Sequence, residues 1–226
     1  MFLPTLALLV SPVHAPVGAC AIDPATATAV TATVPADSAL LAHYREGITW
    51  EAFLSSARAR RAAWVANWGA SQVPPDALAA ARELPGRWRL LVIAVDSCSD
   101  SVNTIPYLAR LVEEVPSLEM RIVSPRAGRP LMATRTTPDG RAATPTVILL
   151  DADGVEAGCW IERPAGLQRL AIAAGAGGGT PEFAAAKQGW YDADAGASTV
   201  REVVALLVKA AGGTRGCDAG PVSSGL

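Results

Sequence analysis

The chain has 226 residues, half of them hydrophobic, with an aromatic share of 5% and a formal charge of −2. That length bounds the answer at one ordinary domain with added segments, or two very small ones. The near-neutral balance offers nothing to a polyanion, so no nucleic-acid partner is expected. Basic charge is nearly all arginine; Lys187 and Lys209 are the only lysines.

In chain order, Phe2 to Val10 form an apolar run too short to span a bilayer. With Val13-His14-Ala15 behind it, the run reads as a signal-peptide hydrophobic region with a small-residue cleavage pattern. Val17-Gly18-Ala19-Cys20 is similar to a bacterial lipobox, in which the cysteine is lipidated. No Lys or Arg precedes Arg45, so the basic start of a signal peptide is missing. The expectation is an exported protein, periplasmic or membrane-anchored through Cys20, with a cytoplasmic protein as the alternative.

An Ala/Thr/Pro-rich tract over 21–35 reads as a tether. A short helix over 36–44 comes next, then a longer one from an N-cap at Thr49 to Trp68. Its Trp50, Phe53, Trp64 and Trp68 read as a buried face rather than a ligand box. Pro74-Pro75-Asp76 opens a helix to Leu84, and Pro85-Gly86 is a turn. Trp88 to Val95 is continuously apolar in its middle, as suits a strand covered on both faces. A helix over 102–115, kinked at Pro106, leads to an alternating strand over 118–123. A short helix is predicted over 129–136, with a turn at Thr137-Pro138-Asp139-Gly140.

Thr146 to Leu150 is a buried strand, Asp151-Ala152-Asp153-Gly154 a hairpin signal, and 155–161 the returning strand. Helices over 167–174, 181–191 and 198–210 complete the pattern. The glycine cluster over 175–179 is a chain break, since no strand feeds it and no GK[ST] follows. The organisation is therefore a leader and tether over 1–35, a helical extension over 36–86 packed on the core, an α/β domain over 87–211 and a tail over 212–226. Strand–helix–strand followed by a hairpin predicts a mixed sheet with an antiparallel edge and helices on both faces.

The four cysteines are Cys20, Cys98, Cys159 and Cys217, and no two make a C-x-x-C. Neither His14 nor His43 lies near a cysteine pair, so neither a zinc site nor a cofactor is expected. The even count permits two disulfides, which spacing alone does not assign. Cys98 follows the first strand and starts a helix, where N–H groups and the dipole favour a thiolate. Ser99 and Ser101 are placed to donate to the sulfur, while the charge of Asp100 opposes the anion.

With cysteine at the first strand–helix junction and Ala143-Thr144-Pro145 before the third strand, this order resembles the thioredoxin fold. More narrowly it resembles bacterial thioredoxin-family proteins whose motif reads W-C-G-D-[SA] followed by N-x-P. Cys98, Asp100, Ser101, Asn103 and Pro106 carry that match, with Trp160, Arg163-Pro164, Trp190-Tyr191 and Asp194 further on. The departures are Ser97 for tryptophan, Ser99 for glycine, and Ser101 where thioredoxin has its second cysteine.

The resemblance implies a cis Thr144–Pro145 bond beside Cys98, with Ser97, Thr144 and Pro145 facing the substrate. Ser101 cannot resolve a mixed disulfide. Cys98 is then a monothiol (C-x-x-S) nucleophile needing glutathione, a partner protein's thiol, or a distant cysteine, for which Cys159 is the best placed; Cys217 and Cys20 are a further pair. The expected activity is thiol–disulfide exchange, with thiol- or disulfide-bearing proteins or glutathione as partners. The alternative is a redox-inactive binding or adaptor module.

Overall fold

The computed structural model describes residues 36–175 and 180–217. The leader, the tether with Cys20, most of the glycine cluster and the tail past Cys217 lie outside the described residues.

β1 (Trp88–Ile93) carries the fold, because every residue on it except Arg89 is buried. It pairs in parallel with β2 (Leu118–Val123) and antiparallel with β3 (Thr146–Leu150), and β3 pairs antiparallel with β4 (Glu156–Ile161). The strand order is β2-β1-β3-β4, a mixed sheet with an antiparallel hairpin at one edge, as the pattern predicted.

Alternation along β1 sends Leu90 and Val92 to one face and Leu91 and Ile93 to the other. The first face is covered by α2 (Trp50–Ser56), α3 (Arg61–Ala70), α4 (Pro75–Arg82), α6 (Ile105–Glu114) and α10 (Ala197–Ala211). Trp64 has no exposed surface there, consistent with a packing role for the tryptophan series. The second face is covered by α1 (Ala36–Glu46) and α7 (Pro125–Ala133), with Leu40, Tyr44 and Met132 against Leu91 and Ile93. Gly128 of α7 is there by need: a Cβ would meet Ile93 Cγ1 at 2.6 Å.

Two predicted helices are each split in the structure. The span from Thr49 to Trp68 breaks between α2 and α3, although Thr49 caps α2 as expected, accepting from Ala52 N at 3.3 Å. The break has a tertiary cause. The N–H groups of Arg58 and Ala59 donate to Asp96 Oδ2 at 2.8 and 2.9 Å instead of continuing the helix. Arg60 takes a left-handed conformation (φ 52°) to restart it.

The helix predicted over 102–115 divides into α5 (Ser99–Val102) and α6, so Pro106 sits in the first turn of α6 and kinks nothing. Asn103 Nδ2 donates to Ser99 O at 2.7 Å and Thr104 Oγ1 to Asp100 O at 2.7 Å, which satisfies carbonyls the break exposes.

The helix predicted over 129–136 instead starts at Pro125, capped by Ser124, whose hydroxyl accepts from Ala127 N at 3.3 Å. α8 (Ala165–Ala173) and α9 (Pro181–Asp194) form a third small core of Leu167, Ala171, Phe183 and Tyr191. After α10 the chain runs beside β4: Gly216 N donates to Ala157 O at 3.3 Å and Cys217 is disulfide-bonded to Cys159, Cα atoms 4.8 Å apart.

Candidate functional site

The end of β1 delivers Cys98 to a junction built by four parts of the chain. Cys98 N-caps α5, and its sulfur accepts from Ser101 N at 3.4 Å. Across the junction the Thr144–Pro145 bond is cis, and Thr144 O lies 3.1 Å from the sulfur. Cys98 is 3% exposed and is in the disulfide form. The Cys159–Cys217 bond removes Cys159 as its internal partner, and equally removes the pairing of Cys217 with Cys20. Edge strand and tail meet directly, which the cysteine spacing did not reveal.

Three roles differ in detail from those read from sequence. α5 has only four residues, so a long helix dipole does not act on the sulfur; the local N–H of Ser101 does. The Ser101 hydroxyl is buried with no hydrogen-bond partner among the described residues. The Ser99 hydroxyl accepts from Lys187 Nζ at 2.8 Å. Ser97 is exposed, and its carbonyl accepts from Arg60 Nε at 2.7 Å. Asp96 and Ser97 are thus pinned by the α2–α3 connection, with Trp64 Nε1 donating to Asp96 O at 2.9 Å.

Asp100 was expected to oppose a thiolate. The structure gives it an offset: at 1% exposure its carboxylate meets Lys187 Nζ at 3.1 Å, Arg163 Nη2 at 3.4 Å and Tyr191 OH at 2.8 Å. Burial, then the charge of Asp100 and the hydrogen bond to it, push the Tyr191 phenol well above its ordinary value, so Tyr191 remains a donor.

Arg163 also pairs with Glu162, itself 1% exposed, and Arg141 Nη2 closes on the other Glu162 oxygen at 2.9 Å. Burial works against the Arg141 charge, but its hydrogen bonds to Glu162 and Asp139 outweigh that and raise it. Asp139, Arg141, Glu162, Arg163, Asp100 and Lys187 form an alternating chain of three acids and three bases. It touches the Pro145 loop through Glu162 N, which donates to Pro145 O at 2.7 Å. Glu162 holds that place with a left-handed backbone, φ 67°.

Sequence reasoning missed Lys187, Glu162, Arg141 and Arg60. It had matched Arg163 and Tyr191 only by resemblance. One signal was present for Lys187: a lysine among arginines, on a helix otherwise without basic residues. Trp160 lies elsewhere, donating to Glu202 Oε2 at 2.8 Å. Asp194 serves α10, accepting from Ser198 N at 3.0 Å.

A sheet of this order, a cysteine at the end of its central strand and a cis-proline facing it define a thioredoxin-like protein. The thioredoxin family profile matches residues 47–176, and the chain belongs to that family. Among solved structures it is similar to a protein of unknown function from Pseudomonas aeruginosa, at 21% identity and a TM-score of 0.58, over 73% of this chain and 94% of that one. It is also similar to an HIV epitope-scaffold, at 19% identity and a TM-score of 0.57, over 74% and 96%. At those identities the likeness shows the fold alone. No curated protein matches the chain. Among the described residues no helix is long and apolar enough to cross a membrane, and the disulfide is compatible with an exported protein. The described residues hold no cluster of His, Cys, Asp and Glu able to bind a metal ion.

Proposed function

We propose that this protein is a thiol–disulfide oxidoreductase of monothiol character, with Cys98 as its nucleophile. The observation that carries the reading is the placement of one sulfur between the Ser101 N–H and the Thr144 carbonyl, opposite cis-Pro145. After reduction, the Cys98 thiolate attacks one sulfur of a substrate disulfide. A bond forms from Cys98 to that sulfur, the substrate S–S bond breaks, and the other substrate sulfur leaves as a thiolate. A second thiolate, of the glutathione class, then attacks the substrate sulfur of the mixed disulfide; a new disulfide forms between them, the bond to Cys98 breaks, and Cys98 leaves as the thiolate. Ser101 takes no part in that second step, so another thiol supplies it. Thr144 and Pro145 hold the substrate strand, Ser97 borders it from the exposed side, and Ser99 and Asp100 modulate the sulfur through Lys187.

The redox-inactive adaptor reading has its own support, the 3% exposure of Cys98, since a sheltered sulfur is slow to meet a substrate. Turnover of a glutathione mixed disulfide, with glutathione as reductant, separates the two. The redox reading expects turnover that Cys98→Ser abolishes, together with a Cys98 alkylation midpoint below the ordinary thiol value of about 8.5. A midpoint near that value and no turnover dependent on Cys98 leaves the adaptor.

A further inference from the structure

α9 lies beyond the residues that the family profile matches, yet two of its side chains reach the cysteine motif. Lys187 Nζ bonds both Ser99 Oγ, at 2.8 Å, and Asp100 Oδ2, at 3.1 Å; Tyr191 OH takes the other Asp100 oxygen at 2.8 Å. Ser99 and Asp100 are the two residues that directly follow the nucleophile on the chain, so the α9 contacts fall beside Cys98.

The charges around the sulfur decide what that action is. From the β1–α5 loop and the α2–α3 connection come Asp96 and the arginines Arg58 and Arg60; Asp96 is held by backbone N–H groups and Arg60 by the Ser97 carbonyl. From α5 itself comes Asp100. Before α8 stand Glu162 and Arg163, and behind them Arg141 and Asp139. α9 brings Lys187 and Tyr191.

Within this set Arg163 is divided: it pairs with Glu162 and lies 3.4 Å from Asp100. Among the described residues, the one carboxylate that Lys187 pairs with is Asp100. A buried carboxylate beside a forming thiolate is a like-charge pair at low effective dielectric, which disfavours the second charge. Lys187 cancels the first charge without drawing on the Glu162 pair.

We propose that Lys187 is a positioning residue for Cys98, neutralising Asp100 and fixing Ser99 so that the thiolate forms beside a closed ion pair rather than a bare buried carboxylate. The inference rests on the redox reading of Cys98. It makes α9 part of the working site rather than a C-terminal addition to it.

The test is the pH dependence of Cys98 alkylation in the reduced full-length protein, resolved peptide by peptide so that Cys20, Cys159 and Cys217 do not contribute. The expected result is a Cys98 midpoint about one unit higher in Lys187→Met than in wild type, a tenfold smaller thiolate fraction below the midpoint. Lys187→Arg restores most of the shift. In an Asp100→Asn background Lys187→Met changes little, because the charge it offsets has gone. Should Lys187→Met fail to fold, Lys187→Gln gives the same reading, since it keeps a donor without the charge. A wild-type midpoint below 8.5 that Lys187→Met leaves unmoved overturns the role of Lys187 and spares the redox reading. A wild-type midpoint near 8.5 overturns the role of Lys187, and with no turnover dependent on Cys98 it overturns the redox reading as well. A shift of equal size in the Asp100→Asn background overturns action through Asp100.

Discussion

Among the described residues two regions hold cysteine sulfur, and they are built on opposite plans. Cys98 stands at the end of the central strand, between a cis-proline loop and a short helix, with a balanced chain of charges behind it whose middle members Glu162, Arg163 and Asp100 are buried. Cys159 lies on the edge strand and is bonded to Cys217 in the segment after α10, with Gly216 bridging Gly158 alongside. The first region sets the Cys98 sulfur between the Ser101 N–H and the Thr144 carbonyl. The second uses two sulfurs to hold a segment over an edge that would otherwise present unpaired backbone groups. Position in the sheet separates the two: Cys98 and the Thr144–Pro145 loop meet at the end of β1, while β4 is left at the edge.

The comparison breaks most visibly at the clasp. Replacing Cys159 and Cys217 together by serine removes a cross-link spanning 58 residues of sequence. On the chain-entropy model a loop of that order is worth about 4 kcal/mol. The expected result is a loss of that size in urea unfolding, with the alkylation midpoint of Cys98 unchanged. A change in that midpoint would mean the two regions are coupled and the contrast is false.

Somewhat smaller is the effect of Arg163→Met at the other region. Removing one member of a buried ionic network costs about 3–5 kcal/mol when a bare charge remains. Here the expectation is the lower end, about 3 kcal/mol, because Asp100 keeps Lys187 and Glu162 keeps Arg141. Two guanidinium nitrogens of Arg163, Nε and Nη1, are also buried without partners among the described residues, so part of its cost disappears with it. A urea midpoint within error of wild type would show that the network orients the site without stabilising the fold.

The contrast also explains what the sequence disclosed. The strands, their order and the place of Cys98 were legible because continuous apolar runs, turn residues and a Thr-Pro are local signals. The helix breaks at 57–60 and 103–104 were not. The first is fixed by a distant partner, the Asp96 carboxylate that accepts from the N–H groups of Arg58 and Ala59; the second by local bonds from the Asn103 and Thr104 side chains to the carbonyls of Ser99 and Asp100, which apolar periodicity does not register. The ion-pair chain was equally hidden, since Lys187 lies 87 positions from Asp100 and its standing as the one basic residue of its helix does not say which carboxylate it meets. The disulfide resisted for the opposite reason: four cysteines at wide spacing permit several pairings, and only the path of the chain after α10 selects one.

At the clasp, Arg215 offers the smallest and most diagnostic change. Its guanidinium meets Asp151 Oδ2 at 2.6 Å, and the backbone N–H groups of Asp153 and Val155 donate to Asp151 Oδ1 at 2.9 and 3.0 Å. Burial alone would raise the Asp151 carboxyl, but these hydrogen bonds outweigh it and hold it below its ordinary value. A carboxyl whose folded value is depressed contributes stability above its unfolded value, and that contribution is lost as pH falls through the folded one. Arg215→Met should therefore reduce stability at neutral pH and flatten its decline on acidification below about 4. With Arg215 40% exposed, the loss should stay under about 1 kcal/mol and vanish in about 1 M salt, where screening reaches roughly 3 Å. The loss in Arg163→Met should survive the same salt, because that arginine is 3% exposed and its field is not open to counterions. If salt erased both losses alike, the buried network would be electrostatically no different from the surface pair. If salt erased neither, Arg215 would be acting through packing, and the clasp would not depend on its charge.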